Sequence, residues 1–177
     1  TDNFLYFMIE RETLINFYNL YSKEIFNYCY HLTGVYEAAE DILQDCFINL
    51  IEYSKKNVIN SETVKSFLYK TAHNLAINYL KKNDKIFYLD DDNNYSSVDT
   101  IAETIANEEM NNEILVAIQN LDVKTRSIFI LKRDNNYTNE EIAKILNISE
   151  RTVRRKLQQA LSHIMVHLKN KGFYDIL

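Results

Sequence analysis

The chain contains no proline, only two glycines (Gly34 and Gly172) and only two cysteines (Cys29 and Cys46) among its 177 residues. Strand proteins need tight turns, and tight turns draw on proline and glycine. A chain this poor in both is most simply all helix, punctuated by Asn, Asp and Ser. Two cysteines are too few for a disulfide scaffold, and both fall on apolar helix faces, so buried free thiols in a reducing compartment are expected. The four histidines, His31, His73, His163 and His167, do not stand at zinc-ligand spacing with the cysteines. His163 and His167 share a helix face, but two ligands make a weak metal site, and a solvent-exposed pair is expected. No segment is apolar for long enough to span a bilayer, and no signal peptide is visible, so a cytoplasmic protein without membrane insertion is expected. The first residue is threonine, which reads as a processed, trimmed or engineered start.

Hydrophobic residues make up 46%, enough to bury real cores, and the formal charge of −5 suits one or two small domains. A negative total argues against indiscriminate coating of nucleic acid. It leaves DNA binding open where charge is segregated, and here it is. Nine acids between Asp84 and Glu113 face a single base, Lys85. From Arg151 to Lys156 there are four cations and no anion.

That basic stretch belongs to the most informative segment, TNEEIAKILNISERTVRRKL, from Thr138 to Leu157. Thr138 and Glu141 stand at capping-box spacing. Ile142, Ala143, Ile145 and Leu146 supply the apolar side of a short helix, with Asn147 and Ile148 in the turn. Ser149 can cap a second helix in which Val153 and Leu157 face inward. Arg151, Arg154, Arg155 and Lys156 lie on its other side. This is the helix-turn-helix layout, whose second helix enters a DNA major groove; the alternative is an ordinary surface helix with a solvated charge run.

Upstream, Leu14, Tyr18, Tyr21, Ile25, Tyr28 and Leu32 form the stripe of a long helix ended by Thr33 and Gly34. A second helix, from about Tyr36 to Tyr53, buries Ala39, Ile42, Leu43, Cys46, Phe47 and Leu50. Its other face carries Glu37, Glu40, Asp41, Gln44 and Asp45. That face fits a solvated surface, a metal or acid–base site, or a docking surface for a basic partner. Ser54 to Ser61 reads as a loop. A third helix to about Lys82 is buried through Val64, Phe67, Leu68, Ala72, Leu75 and Leu80. Its aromatics, amides and lysines suit single-stranded DNA; Phe67 reads as core, while Tyr69 and Tyr79 stay open. The run DDDNNYSS (Asp90 to Ser97) reads as a solvated linker and domain boundary. Helix resumes near Ile105, and Asp122 caps a further helix carrying Ile128, Phe129 and Leu131.

Three segments in this order, LTGVYEAAEDILQDCFINL, SFLYKTAHNLAINYL and AIQNLDVKTRSIFILKRDNNYTNEEIAKILNISERTVRRKL, resemble the bacterial sigma-70 superfamily, in particular its short extracytoplasmic-function (ECF) group. The resemblance runs from about Leu14 to Leu168. It implies an all-α fold of two small helical domains joined by an acidic linker. These are an N-terminal domain over 1–85 for core polymerase and the −10 element, a linker over 86–104, and a helix-turn-helix domain over 105–177 for the −35 element. It implies that Asp41, Gln44 and Asp45 dock on the β′ clamp of RNA polymerase. Lys55, Lys56 and Asn57 in the loop, with Asn74 and Asn78 on the third helix, would capture the melted −10 strand, where flipping exposes a base's pairing edge. Arg151, Thr152, Arg154, Arg155, Lys156, Gln158 and Gln159 would engage the −35 duplex. Arg154 and Arg155 with the two glutamines suit base edges, and Arg151 and Lys156 suit phosphates.

The implied partners are core polymerase, through β′ clamp and β flap, promoter DNA and an anti-sigma factor. No cofactor, metal or covalent catalysis is implied. In related factors the linker threads toward polymerase channels; a soluble flexible tether explains its charge equally well. The chain departs from the family in having Gln159, Leu161, Ser162 and His163 where further arginines often follow the recognition helix, which implies weak binding by the isolated domain, in having Asn147 for the turn's usual glycine, and in having no proline near LDVKTR (Leu121 to Arg126). Two rivals remain: a stand-alone helix-turn-helix regulator and a helical interaction protein that sequesters a partner.

Overall fold

A computed structural model describes residues 10–59, 61–83 and 105–173. Among them the chain forms seven α-helices: α1 (Arg11–Thr33), α2 (Tyr36–Ser54), α3 (Ser61–Asn83), α4 (Ile105–Gln119), α5 (Val123–Asn135), α6 (Asn139–Leu146) and α7 (Glu150–Asn170). The expected acidic linker over 86–104 and the boundary at Asp90 to Ser97 lie outside the described residues.

Helices α1, α2 and α3 pack on one another as a three-helix bundle. Gly34 ends α1 in the left-handed conformation (φ 75°), its N–H bonding to Tyr30 O at 2.8 Å. Without a Cβ, glycine adopts that conformation freely, and the chain reverses into α2. The apolar face expected of α2 is buried throughout: Ala39, Ile42, Leu43, Cys46, Phe47 and Leu50. The stripe of α1 is rotated from the expectation. Phe17 and Cys29 are buried beside Ile25, Tyr28 and Leu32, whereas Tyr18 remains 48% exposed. The reason is amphipathicity: the Tyr18 ring leans on Phe47 at a centroid distance of 5.0 Å, and a tyrosine at that rim keeps its hydroxyl wet. On α3, Val64, Leu68 and Ala72 are buried, while Phe67, Leu75, Tyr79 and Leu80 are only partly so. Tyr69 is fully buried, its ring meeting Tyr28 edge-on at 5.4 Å and Tyr137 at 5.2 Å. Both cysteines are buried free thiols.

The C-terminal helices form a second cluster, with α7 packing on α4, α5 and α6. The two clusters are not separate bodies. Helix α5 lies against α1, α6 lies against α3, and one buried core runs through both clusters, from Ile25 and Leu68 to Ile128, Leu131, Ile142 and Val153. Ile130 is buried in addition to the expected Ile128 and Leu131, because α5 is enclosed from several sides.

Polar groups cross this seam in matched pairs. The Tyr28 hydroxyl lies 2.6 Å from Ser127 Oγ, and each lies 3.0 Å from His73 Nδ1. Arg126 donates to Leu32 O at the end of α1 (2.8 Å), to Leu121 O (3.2 Å) and to Gln119 O at the end of α4. Gln119 in turn donates from Nε2 to His31 O at 2.9 Å, and His31 meets Asp134 at 3.0 Å. A helix C-terminus leaves carbonyls without partners and carries partial negative charge, so a guanidinium placed there satisfies both demands.

The seam has a pH dependence of definite sign. Burial, assisted by the neighbouring Lys124 charge, pushes the His73 imidazole down from 6.5 to about 4. Between those values the unfolded chain takes up a proton that the folded chain refuses. Stability is therefore fully present above the upper value, falls as pH drops through the window, and levels off for this group below it. With the half-buried ring discounted for solvent screening, the loss is about 1–2 kcal/mol. Urea denaturation across this range should show it, and His73→Gln, which keeps a hydrogen-bonding side chain but cannot titrate, should flatten the slope.

Candidate nucleic-acid interface

Local chemistry builds the helix-turn-helix. Thr138 Oγ1 accepts from Glu141 N at 3.2 Å, and Glu141 Oε2 accepts from Thr138 N at 2.7 Å, completing the capping box. The bonds from the Thr138 backbone and hydroxyl hold the Glu141 carboxyl below its ordinary range. Asn147 closes α6 in the left-handed conformation (φ 52°, ψ 54°). Asparagine tolerates this where other side chains resist, so it performs the turn without glycine. Ser149 then caps α7, accepting from Thr152 N at 3.2 Å. Ile142, Ala143, Ile145 and Val153 are buried between the two helices.

This packing turns one stripe of α7 outward. Arg151, Arg154, Arg155 and Gln158, spaced i, i+3, i+4 and i+7, are all exposed, and Gln159 is exposed beside them. Arg154 also lies 3.5 Å from Glu150 on its own helix. Thr152 is half-buried, its hydroxyl 2.9 Å from Ser149 Oγ. Lys156 is placed differently from its neighbours. Its side chain is only 18% exposed, and Nζ lies 3.0 Å from Asp122 Oδ2, tying α7 to the cap of α5.

A second polar stripe lies on α3. Asn74 and Asn78 are exposed one turn apart, with Lys70 and Lys81 exposed at continuing helical spacing. The two lysines escaped the sequence reading as individual residues, although their spacing from the asparagines carries the signal. In the turn after α2, Lys55 and Lys56 are exposed. Lys55 pairs with Glu52 at 2.5 Å, and Asn57 donates from Nδ2 to Tyr53 O at 3.0 Å, closing the end of α2. The half-exposed Tyr53 ring packs on Phe67 with centroids 4.8 Å apart.

The outer face of α2 is acidic. Glu37, Glu40, Asp41, Gln44 and Asp45 are exposed. Among the described residues, none of these four carboxylates has a basic side chain within salt-bridge distance. No group of three or more His, Cys, Asp or Glu among the described residues is arranged to hold a metal ion. His167 pairs with Glu113 at 2.6 Å rather than with His163.

A helix-turn-helix with an outward basic stripe, joined to a bundle bearing an amide-and-lysine stripe and an acidic face, defines a helical DNA-binding transcription protein. Residues 17–86 match the model of sigma-70 region 2, and residues 111–164 match that of sigma-70 region 4. The chain is 26% identical over 174 residues to the ECF RNA polymerase sigma factor SigW of Bacillus subtilis (strain 168), covering 91% of each protein. It is 25% identical over 164 residues to the ECF sigma factor SigM of the same organism, covering 92% of this chain and 99% of SigM. The fold matches the sigma factor RpoE in its co-crystal structure with the anti-sigma factor NepR from Bartonella quintana. The TM-score is 0.70 at 17% identity, over 89% of this chain and 98% of RpoE. The chain belongs to the sigma-70 family and to its ECF group. It is an RNA polymerase sigma factor that directs transcription initiation, and it is not an enzyme.

The capping box makes a specific demand on stability. Thr138→Ala removes the acceptor for Glu141 N and should cost about 1 kcal/mol. A shift of the urea midpoint at unchanged slope is the expected readout.

Proposed function

We propose that this sigma factor divides its work along the chain. Residues 1–85 form the domain that binds core polymerase and melted DNA, 86–104 form the connector, and 105–177 form the domain that grips upstream duplex. The carrying observation is charge segregation: the unneutralised carboxylates of α2 stand in the same chain as the exposed arginine stripe of α7. Asp41, Gln44 and Asp45 dock on the basic β′ clamp of polymerase. Lys55, Lys56, Asn57, Asn74 and Asn78, joined by Lys70 and Lys81, capture the unpaired −10 strand. Arg154, Arg155, Gln158 and Gln159 read −35 base edges, since arginine grips guanine and glutamine grips adenine through two bonds each. Arg151 holds a phosphate, and Thr152 stands beside it at the start of the helix. Lys156 reaches phosphate only on leaving Asp122.

Exposed apolar side chains on the C-terminal cluster, among them Leu115 and Val116 on α4 and Leu161 and Met165 on α7, suit the β flap. Core polymerase and promoter DNA are thus the principal partners, and an anti-sigma protein is a further one, as NepR is for RpoE. Among the described residues no helix is long and apolar enough to cross a membrane. The site of action proposed is the cytoplasm, where polymerase and promoter meet.

Run-off transcription with core polymerase and a cognate promoter tests the assignment. Specific initiation should require the chain. Asp41→Lys with Asp45→Lys should abolish both core association and initiation. Arg154→Ala with Arg155→Ala should leave core association intact and reduce initiation at least tenfold, each lost base contact costing about 1–3 kcal/mol. Specific duplex binding by the free chain, without polymerase dependence, would instead identify a stand-alone regulator.

A further inference from the structure

Beside the acidic face, α1 and α2 enclose a surface cleft of about 160 Å³, lined by Tyr18, Phe26, Tyr36, Glu40, Leu43 and Gln44. Three of its six walls are aromatic. The rings are held by other rings: Tyr36 meets Phe26 edge-on at 5.1 Å, Phe26 stacks over Tyr30 at 6.2 Å, and Tyr18 leans on Phe47 at 5.0 Å. Tyr18 and Tyr36 are nevertheless each 48% exposed, so the cleft is open to a partner. The neighbouring Glu40 charge raises the Tyr36 phenol above its ordinary range. The cleft therefore combines aromatic rings, a carboxylate, the amide of Gln44 and the buried apolar side chain of Leu43.

We infer that this cleft is a cation seat that receives an arginine side chain of the docking partner. The inference rests on the reading of α2 as the polymerase-docking face, with which the cleft shares Gln44. Ring faces carry negative potential and attract a cation within about 6 Å. A guanidinium is planar and weakly hydrated, so it stacks on a ring while donating in its own plane to Glu40 and to the Gln44 carbonyl. Its methylene stem covers Leu43. Charge selects the occupant. Glu40 lines the cleft, Glu37, Asp41 and Asp45 are exposed on the same helix, and none of the four has a basic partner among the described residues, so an anion is repelled. An apolar side chain would strip water from Glu40 and Gln44 and return nothing. Tyr18, Tyr36 and Glu40 thereby join the docking surface as residues that discriminate for arginine.

The test uses the full-length chain and two probes, N-acetylarginine methylamide and its neutral citrulline counterpart, read by aromatic-proton NMR. The arginine probe should produce saturable shifts of the Tyr18, Phe26 and Tyr36 ring signals, and citrulline should not. Tyr36→Leu should weaken arginine binding about two- to fivefold, as expected for one exposed cation–ring contact. Tyr36→Phe, which keeps the ring, should bind within about twofold of the unaltered chain. Equal shifts from both probes, no ring shift with arginine, or shifts confined to other sites would overturn the inference. Association with core polymerase, measured for Tyr36→Leu and Tyr36→Phe, should fall in the same order. The charge reversal at Asp41 and Asp45 judges the docking reading separately, because the NMR titration involves no polymerase.

Discussion

The Arg126 guanidinium, half-buried in the seam between the two helical clusters, is the contact on which the rest of the arrangement leans. It donates at once to the C-terminal end of α1, in the first cluster, and to the C-terminal end of α4, in the second. Each helix end brings carbonyls that burial would otherwise leave unpaired, and such a group costs about 1–3 kcal/mol when buried unsatisfied. One cation removes the penalty from two helices and fixes their separation. Around it the neutral triangle of Tyr28, Ser127 and His73 extends the same logic into the interior, where burial pushes the Tyr28 phenol far above its ordinary range. The seam is thus polar at selected points and apolar between them.

That polarity has a counterpart at the surface. The exposed charges of this chain are segregated, acids on the outer face of α2 and arginines on the outer face of α7. Glu37, Glu40, Asp41 and Asp45 of α2 take part in none of the ion pairs among the described residues, and of the α7 arginines only Arg154 does, with Glu150 on its own helix. Lys65 answers Glu24, Lys156 answers Asp122, and Lys171 answers Glu113. Closure of the two clusters buries neither the Asn74–Asn78 stripe nor the Arg154–Arg155 stripe in the seam.

Most of the fold was legible residue by residue. Every residue read as the apolar face of α2 is buried, with Ala38 in addition, because α1 and α3 cover that side of the helix and leave the carboxylate side open. The α1 stripe was misread at Tyr18 because apolar spacing does not say where a large amphipathic ring meets the bundle edge. Tyr69, open on sequence grounds, proved to be core because two further tyrosines from distant segments close over it. The basic stripe of α7 was legible in part. Arg154 and Arg155 stood out by charge, but Lys156 shared that charge and is engaged inside the molecule.

The division follows the range of the forces. Helix starts and stops at Gly34, Asp122, Thr138, Asn147 and Ser149 depend on groups within about four residues, so composition and spacing alone determine them. The helix-turn-helix, its inward Val153 and its outward arginines follow from the same short period. The union of the two clusters was decided elsewhere. Tyr28 and Ser127 are 99 positions apart, and Lys156 and Asp122 are 34 apart. Pairings over such distances leave no period in a single chain, because they arise only when packing carries one helix onto another.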